Sequence, residues 1–529
     1  MAALKSFNAV TLGELLPDEV LSASEQHLEV SGVQLDSRKV TPGGLFLAMP
    51  GHGKDGVDGR DFIASAVMAG AVAVVAERQG WEHYAPLSGS VPVVLVSDLS
   101  SQASAIAGRF FGEPGEHVKV IGVTGTNGKT TCSHLLAQLF NQLSEKCGVI
   151  GTLGYGIPEA SSPGVAGLVS TGLTTPDAIQ AQQVLAEIYA SGARYVAMEV
   201  SSHSLDQGRV KAVPVYGAVF TNLSREHLDY HTTMAEYLAA KQQLFATPGL
   251  QFAVINIDDE AGTEIARTLS DTLKCFTYSL RDSSASVYAA GVHLSAHGIA
   301  ADVVTPEGAV QIQSRLIGEF NLSNLLAVLA TALACGENLT RVVSAIGALA
   351  PVAGRLEVVD PSLEPQVIID YAHTPDALEQ VLSSLRTIMQ AVGKGRLWCV
   401  FGCGGDRDQG KRSLMAEVAG RLADEVVVTS DNPRGEVPGS IIDDILKGAE
   451  RDFHRIEDRG EAISFAIAQA QPGDTVLIAG KGHEDYQLLG SRRIPFSDAR
   501  QARLALRRRA STADGKPAIN GGKVADDGA

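Results

Sequence analysis

Two kinds of stretch alternate along this chain: short runs that are apolar almost throughout, and longer ones whose apolar positions fall three and four residues apart. The short runs are Leu45–Ala48, Ala71–Val75 and Val91–Val96; then Val118–Val123, Tyr195–Val200, Ala218–Phe220 and Ala253–Ile257; then Val367–Asp370, Leu397–Phe401, Glu425–Thr429 and Thr475–Ala479. They have strand length and end in polar or glycine-bearing turns, the pattern of strands covered on both faces. Between them, Asp61–Ala69, Lys129–Leu143 with Leu135, Leu136, Leu139 and Leu143 on one face, and the segment containing Leu325–Leu333 predict helices. Alternation of this kind predicts an α/β architecture of mainly parallel sheets with helices on their faces.

A chain of 529 residues holds about three domains of ordinary size. Turn residues at Phe110–His117 and again at Ala350–Arg355 mark the breaks. The expected division is a smaller N-terminal α/β domain at 1–114, a central P-loop-type domain at 115–352 and a Rossmann-like C-terminal domain at 353–510. The small, polar segment 511–529 is expected to be disordered. No internal repeat is visible.

Charge narrows the partners. A formal net charge of −17 argues against nucleic acid, whose binding requires clustered cations. The N-terminus lacks the apolar core of a signal peptide, and Ala66–Ala76 is too short to span a bilayer, so a cytoplasmic protein without a membrane partner is expected. The six cysteines are scattered without a disulfide framework. Cys399 and Cys403 lack the second ligand pair a zinc site needs and read as buried thiols.

The strongest chemical signal is Val120-Ile-Gly-Val-Thr-Gly-Thr-Asn-Gly-Lys129-Thr130-Thr131, a β-branched run that breaks into a glycine turn and opens a helix. Gly125 and Gly128 let backbone N–H groups approach phosphate, Lys129 supplies a cation, and the Thr130 hydroxyl is placed for Mg²⁺. The general pattern would require glycine at position 123, where this chain has Val123. Downstream, Met198-Glu199-Val-Ser-Ser-His ends a strand with a carboxylate suited to the same cation. His227 and His231 have the i, i+4 spacing of zinc ligands, but Leu228 stands where a zinc protease has its glutamate and no third ligand is evident. Lys241 lies in a helix-forming run.

Together these segments resemble the Mur ligases, ATP-dependent amide-forming enzymes of peptidoglycan and cell-wall synthesis, over nearly the whole chain except its tail. The resemblance implies an ATP loop at Gly125, Thr126, Asn127, Gly128, Lys129, Thr130 and Thr131, with Asn321, Arg355 and Asp370-Tyr-Ala-His373 also facing the nucleotide. It implies magnesium ligands at Thr130, Glu199, His227 and Lys241, the last as a carbamate, with Lys129, His227 and Lys241 catalytic. Leu35, Ser37, His52, Gly53 and Lys54 look like uridine-nucleotide contacts of the member that adds the third residue, and Thr174, Thr175, Ser201, Gln207 and Arg209 like its muramoyl-dipeptide contacts.

In the last domain Arg407, Asp431-Asn432-Pro433-Arg434, Gly480 and Glu484 resemble a meso-diaminopimelate pocket. Lysine lacks the second carboxylate that a guanidinium can hold bidentately. The implied substrates are ATP, UDP-N-acetylmuramoyl-L-alanyl-D-glutamate and meso-diaminopimelate, with Mg²⁺ as cofactor, an acyl phosphate on the path, and a monomer whose domains close on them. The alternatives are a lysine-adding relative, a folylpolyglutamate synthase-like ligase, and a non-catalytic nucleotide-dependent switch.

Overall fold

The computed structural model describes residues 10–51, 56–84, 91–158, 167–295, 297–393 and 395–513. It divides into two compact units. The first comprises 1–290, 302–311 and 323–346; the second comprises 291–301, 312–322 and 347–529.

Two sheets of the first unit frame its core, beside the short antiparallel pair Val10–Thr11 and Glu29–Val30. Gly32–Gln34, Gly44–Ala48, Ala73–Glu77 and Val93–Val96 form a four-stranded parallel sheet in that order. Its apolar runs are continuous because side chains alternate between two covered faces. Leu45, Leu47, Ala73 and Val75 enter one core cluster, while Phe46, Ala48, Val74 and Ala76 enter another. The larger sheet runs Lys274–Ser279, Phe252–Asn256, Val215–Phe220, Lys119–Thr124, Tyr195–Glu199, Cys147–Gly151, all parallel, with Gly154–Gly156 antiparallel at its end. Lys119–Thr124 is therefore flanked by Tyr195–Glu199 and Val215–Phe220. Three chain segments leave the same carboxyl edge side by side, the usual place for a ligand in such sheets.

The helix Lys129–Gln142 follows the central strand. Its leucines are buried as expected, but so are Thr130, Thr131, Ser133 and His134, so it is enclosed rather than one-faced. The strands Val287–Ser295, Gly298–Thr305 and Gly308–Ser314 have no counterpart in the sequence reading. Many of their positions face water, so they lack continuous apolar runs.

In the second unit Gln366–Asp370, Thr475–Ala479, Leu397–Phe401 and Glu425–Val428 are adjacent parallel strands, with short edge strands at Glu357–Val358 and His454–Arg455. Alternate residues again divide between two cores: Cys399, Phe401 and Leu477 on one face, Trp398, Val400 and Ile478 on the other. Cys399 and Cys403 are buried free thiols whose pKa burial pushes up to about 12.

The last helix, Asp498–Ala513, is fixed by a fully buried ion pair. Arg459 donates from Nε and Nη2 to Asp498, both at 2.7 Å, and from Nη2 to the carbonyl of Ala479 at 2.9 Å. Residues 511–513, assigned from composition to the polar tail, are the end of this helix. Burial of Ala502, Ala505 and Leu506 stabilises it despite its polar last turn. The rest of that segment lies outside the described residues.

Candidate functional site

At the end of the central strand the backbone turns through Gly125 (φ +147) and Gly128 (φ +87). A Cβ at Gly125 would lie 1.9 Å from Thr221 Oγ1, and one at Gly128 would lie 2.7 Å from Asn324 Oδ1, so both positions require glycine. Asn222 holds the loop from behind: its carbonyl accepts the Thr126 N–H and its Oδ1 the Asn127 N–H, both at 2.8 Å. The side that can receive a phosphate is thus the amino end of the helix beginning at Lys129. Lys129 Nζ is folded over the turn and donates to the carbonyls of Gly125 and Thr126, both at 2.7 Å.

Glu199, buried at the adjacent strand end, gathers the neighbouring segments. Its carboxylate accepts Thr130 Oγ1 at 3.0 Å, the Thr152 N–H at 2.9 Å and Thr152 Oγ1 at 3.0 Å. A Cβ at Gly151 would lie 2.1 Å from its Oε1. A carboxylate and a hydroxyl together at a helix start are the hard oxygen ligands that Mg²⁺ prefers, and the chain fits such an ion here. Among the described residues no group of three His, Cys, Asp or Glu side chains could hold a metal ion by itself.

The residues read as dipeptide contacts form a chain of bonds that starts beside the same residue. Thr152 Oγ1 lies 3.1 Å from Thr174 Oγ1. Thr175 Oγ1 donates to the Glu199 carbonyl at 2.8 Å and accepts the Ser201 N–H at 3.0 Å. Arg209 donates from Nη1 to the Thr175 carbonyl at 3.0 Å and from Nε to Gln207 Oε1 at 2.8 Å. Leu35 and Ser37 follow the N-terminal strand Gly32–Gln34, where Asp36 caps the turn Ser37–Lys39. His52, Gly53 and Lys54 lie outside the described residues.

Lys241 is enclosed. Only 1 % exposed, it donates from Nζ to the Gly125 carbonyl at 2.9 Å and sits 4.3 Å from the centre of the Tyr237 ring. Burial, reinforced by the nearby Lys129 ammonium, holds its amine well below the usual lysine range. Tyr237 joins the parts: its hydroxyl is 3.2 Å from Thr126 Oγ1, and its ring packs against His227 and His231.

The two histidines lie at the two ends of one short turn, in which the His231 N–H donates to the His227 carbonyl at 2.9 Å. His227 adopts φ +58 just before the short helix Leu228–His231, with Nε2 3.7 Å from Glu226, while His231 Nε2 lies 2.8 Å from Ser202 Oγ. Thr152, Asn222, Tyr237 and Asn324 complete this site and escaped the sequence reading. Asn324 accepts from Cys132 Sγ at 3.3 Å, whereas Asn321, one turn earlier, donates to the Ile317 carbonyl at 2.9 Å.

In the second unit, the strand ends bring Asp431, Asn432, Arg434, Gly480 and Glu484 together. Asn432 Nδ2 donates to Glu484 Oε2 at 2.9 Å. Lys481, fully buried and not anticipated, donates to Asn432 Oδ1 at 3.0 Å and to Glu484 Oε2 at 2.9 Å, with Asp431 at 3.6 Å. It neutralises acids that would otherwise repel one another. Arg434 donates from Nη1 to the Gly405 carbonyl at 2.9 Å, and Pro433 is buried before it. Arg407 is exposed. Nearby, Arg355 lies 4.5 Å over the Tyr371 ring, and Asp370 accepts the N–H groups of Leu356 at 2.8 Å and Ala372 at 2.7 Å. His483 packs on Tyr371; burial and then the Arg355 charge lower its pKa to about 4.

Three family models match consecutive parts of the chain: "Mur ligase family, catalytic domain" at 29–118, "Mur ligase middle domain" at 123–332 and "Mur ligase, glutamate ligase domain" at 354–482. A UDP-N-acetylmuramoyl-L-alanyl-D-glutamate--2,6-diaminopimelate ligase of Ectopseudomonas mendocina is 49 % identical over 92 % of this chain and 97 % of its own length. The ligase of the same name from Pseudomonas aeruginosa is also 49 % identical, over 94 % and 98 %. A solved structure of an enzyme of that name superimposes with a TM-score of 0.67 at 37 % identity, covering 95 % of this chain and 99 % of the other.

Proposed function

The chain belongs to the Mur ligase family, and we propose from that premise how it acts as a UDP-N-acetylmuramoyl-L-alanyl-D-glutamate--2,6-diaminopimelate ligase in peptidoglycan precursor synthesis. ATP phosphorylates the D-glutamate γ-carboxylate, and an amine of meso-diaminopimelate displaces phosphate to form the amide. The observation that carries the amino-acid assignment is the loop Asp431–Arg434, in which Asn432 is bonded to Lys481 and Glu484 and Arg434, two residues on, is bonded to the Gly405 carbonyl. Both signs of charge are present for a substrate that bears two ammonium and two carboxylate groups.

In the first unit the amino end of helix Lys129–Gln142 receives the phosphates, and Lys129 leaves its loop carbonyls to stabilise charge on the transferred phosphoryl. Thr130 and Glu199 would hold Mg²⁺, and His227 and a carbamylated Lys241 would serve a second magnesium. The cation supplies charge neutralisation on the phosphate oxygens. Thr174, Thr175, Ser201, Gln207 and Arg209 orient the dipeptide carboxylate beside that centre, while Leu35 and Ser37 serve the uridine end. Asn321 and Arg355 serve the nucleotide. Reliance on ATP and a uridine-nucleotide substrate makes the cytoplasm its place of work, and no helix among the described residues is long and apolar enough to cross a membrane.

Mass analysis of product formed from the UDP-dipeptide, ATP and either diaminopimelate or lysine tests the assignment. The expected result is a diaminopimelate adduct with stoichiometric ADP and phosphate, and no lysine adduct. A lysine adduct formed as readily, or phosphate release independent of the amino acid, overturns it.

A further inference from the structure

The loop 404–408 that carries Arg407 and the loop 431–436 that carries Arg434 are joined by the Arg434 bond to the Gly405 carbonyl and, beyond it, by a network that uses neither arginine's side chain. Asp406 (φ +52) and Arg434 (φ +51) both adopt the left-handed conformation that non-glycine residues avoid. Cross-links hold them there. Asp406 Oδ2 accepts the Gly435 N–H at 2.9 Å, the Asn432 carbonyl accepts the Gly405 N–H at 3.0 Å, and Glu436 Oε1 accepts the Asp406 N–H at 2.6 Å. Glu436 is itself held by Arg412, whose Nη2 donates to Oε1 at 2.8 Å and Oε2 at 2.9 Å. Arg412 is 1 % exposed and starts a helix with Lys411; its Nη1 reaches Asp444 at 2.9 Å, and its Nη2 the Gly404 carbonyl at 3.4 Å.

We propose that Arg412, acting through Glu436, is the positioning residue for amino-acid selectivity: it fixes the two strained loops so that Arg407 and Arg434 meet the distal carboxylate of the substrate at one set distance. The proposal rests on the pocket assignment above. A guanidinium is suited to this work because one rigid fork spans Glu436 and Asp444 from a buried position, which a lysine ammonium cannot reproduce. If the lock is released, the loops relax toward ordinary backbone conformations, and Arg434 remains present but misplaced. An error of about 1 Å in such a group costs up to roughly 100-fold. Neither Arg412 nor Glu436 needs to touch the amino acid for this to hold.

The test compares wild type with Arg412→Gln, Arg412→Lys, Glu436→Ala and Asp444→Asn, measuring KM for diaminopimelate, KM for ATP, kcat, melting temperature and the preference for diaminopimelate over lysine. The expected result is that Arg412→Gln and Glu436→Ala raise KM for diaminopimelate by roughly 10- to 100-fold and erode the preference, with KM for ATP unchanged. Arg412→Lys recovers part of the loss, and Asp444→Asn, which spares the link to Glu436, lowers melting temperature without altering preference. Because Glu436 is partly exposed, its variant decides the matter if Arg412→Gln does not fold. A folded Glu436→Ala enzyme with wild-type KM and preference overturns the proposal, as does an equal loss of ATP and diaminopimelate affinity. Wild type that accepts lysine as readily as diaminopimelate overturns the pocket assignment itself and the proposal with it.

Discussion

Lys129 and Lys241 donate to the same acceptor, the carbonyl of Gly125, at 2.7 and 2.9 Å. Two ammonium groups on one oxygen repel, and Lys241 is the buried member, so its charge is the one suppressed. A neutral amine is the form that reacts with carbon dioxide, and the resulting carbamate is an anion able to pair with Lys129 or a cation.

Lys241→Ala is therefore expected to be nearly inactive and partly rescued by formate, which restores an anionic ligand; Lys241→Arg, which cannot carry a carbamate, stays inactive. Turnover of the variants with and without formate checks this. Wild-type turnover in Lys241→Ala, or an unmodified Lys241 in the substrate-bound enzyme, refutes it.

Glu199 sits between Thr130 and Thr152, with both carboxylate oxygens engaged. Glu199→Gln keeps the size and the oxygen that accepts the Thr152 N–H but replaces the other oxygen with a donor and removes the charge a divalent cation needs. We expect kcat to fall by roughly 10²- to 10³-fold, the usual loss on removing an electrostatic stabiliser of the transition state, and the Mg²⁺ concentration for half-maximal activity to rise. Chelation should silence wild type, and added Mg²⁺ should restore it. An unchanged magnesium dependence in the variant would count against Glu199 as a ligand.

His483 makes stability depend on pH. Its folded pKa of about 4 lies below the ordinary 6.5, so folding favours the neutral ring. That contribution is fully present above about pH 6.5 and is lost as pH falls toward 4, amounting to at most about 3 kcal/mol. The melting temperature of wild type should therefore drop over this range more steeply than that of His483→Gln. Parallel curves would show that the ring is not held neutral by the fold.

The strands flanking the site were legible because both their faces are covered: the run Leu397–Phe401 alternates between two cores and so reads as unbroken apolar sequence. Val287–Ser295 was not, since Ala290, Val292 and His293 face water and Gly291 and His293 interrupt the apolar run. The phosphate loop was legible because its chemistry is local: Gly125, Gly128, Lys129 and Thr130 act within one turn. Thr152, Tyr237 and Lys481 were not, because each acquires its role from a partner far along the chain: Glu199 for Thr152, Thr126 for Tyr237, Asn432 for Lys481. Nor does the spacing of His227 and His231 reveal that His227 adopts φ +58 and that the short helix begins after it.

Arg434 should carry the choice of amino acid. Its Nη1 is committed to the Gly405 carbonyl, which fixes the plane of the guanidinium while other N–H groups of the fork remain to receive a carboxylate. Diaminopimelate presents that carboxylate; lysine presents a hydrogen and leaves the arginine desolvated without a partner. A site built for a polar group rejects an analogue lacking it by roughly 10⁴-fold, so wild type should use lysine at about that disadvantage in kcat/KM. Arg434→Ala should raise KM for diaminopimelate strongly, leave KM for ATP nearly unchanged, and narrow the gap between the two amino acids by weakening the better substrate. Arg434→Lys should recover little, because a single ammonium cannot both bond Gly405 and grip a carboxylate bidentately. Steady-state kinetics with each amino acid at saturating ATP and UDP-dipeptide measures all of these quantities. Wild-type affinity for diaminopimelate in Arg434→Ala would remove Arg434 from the pocket and require the distal carboxylate to be held elsewhere, with Arg407 the next residue to substitute.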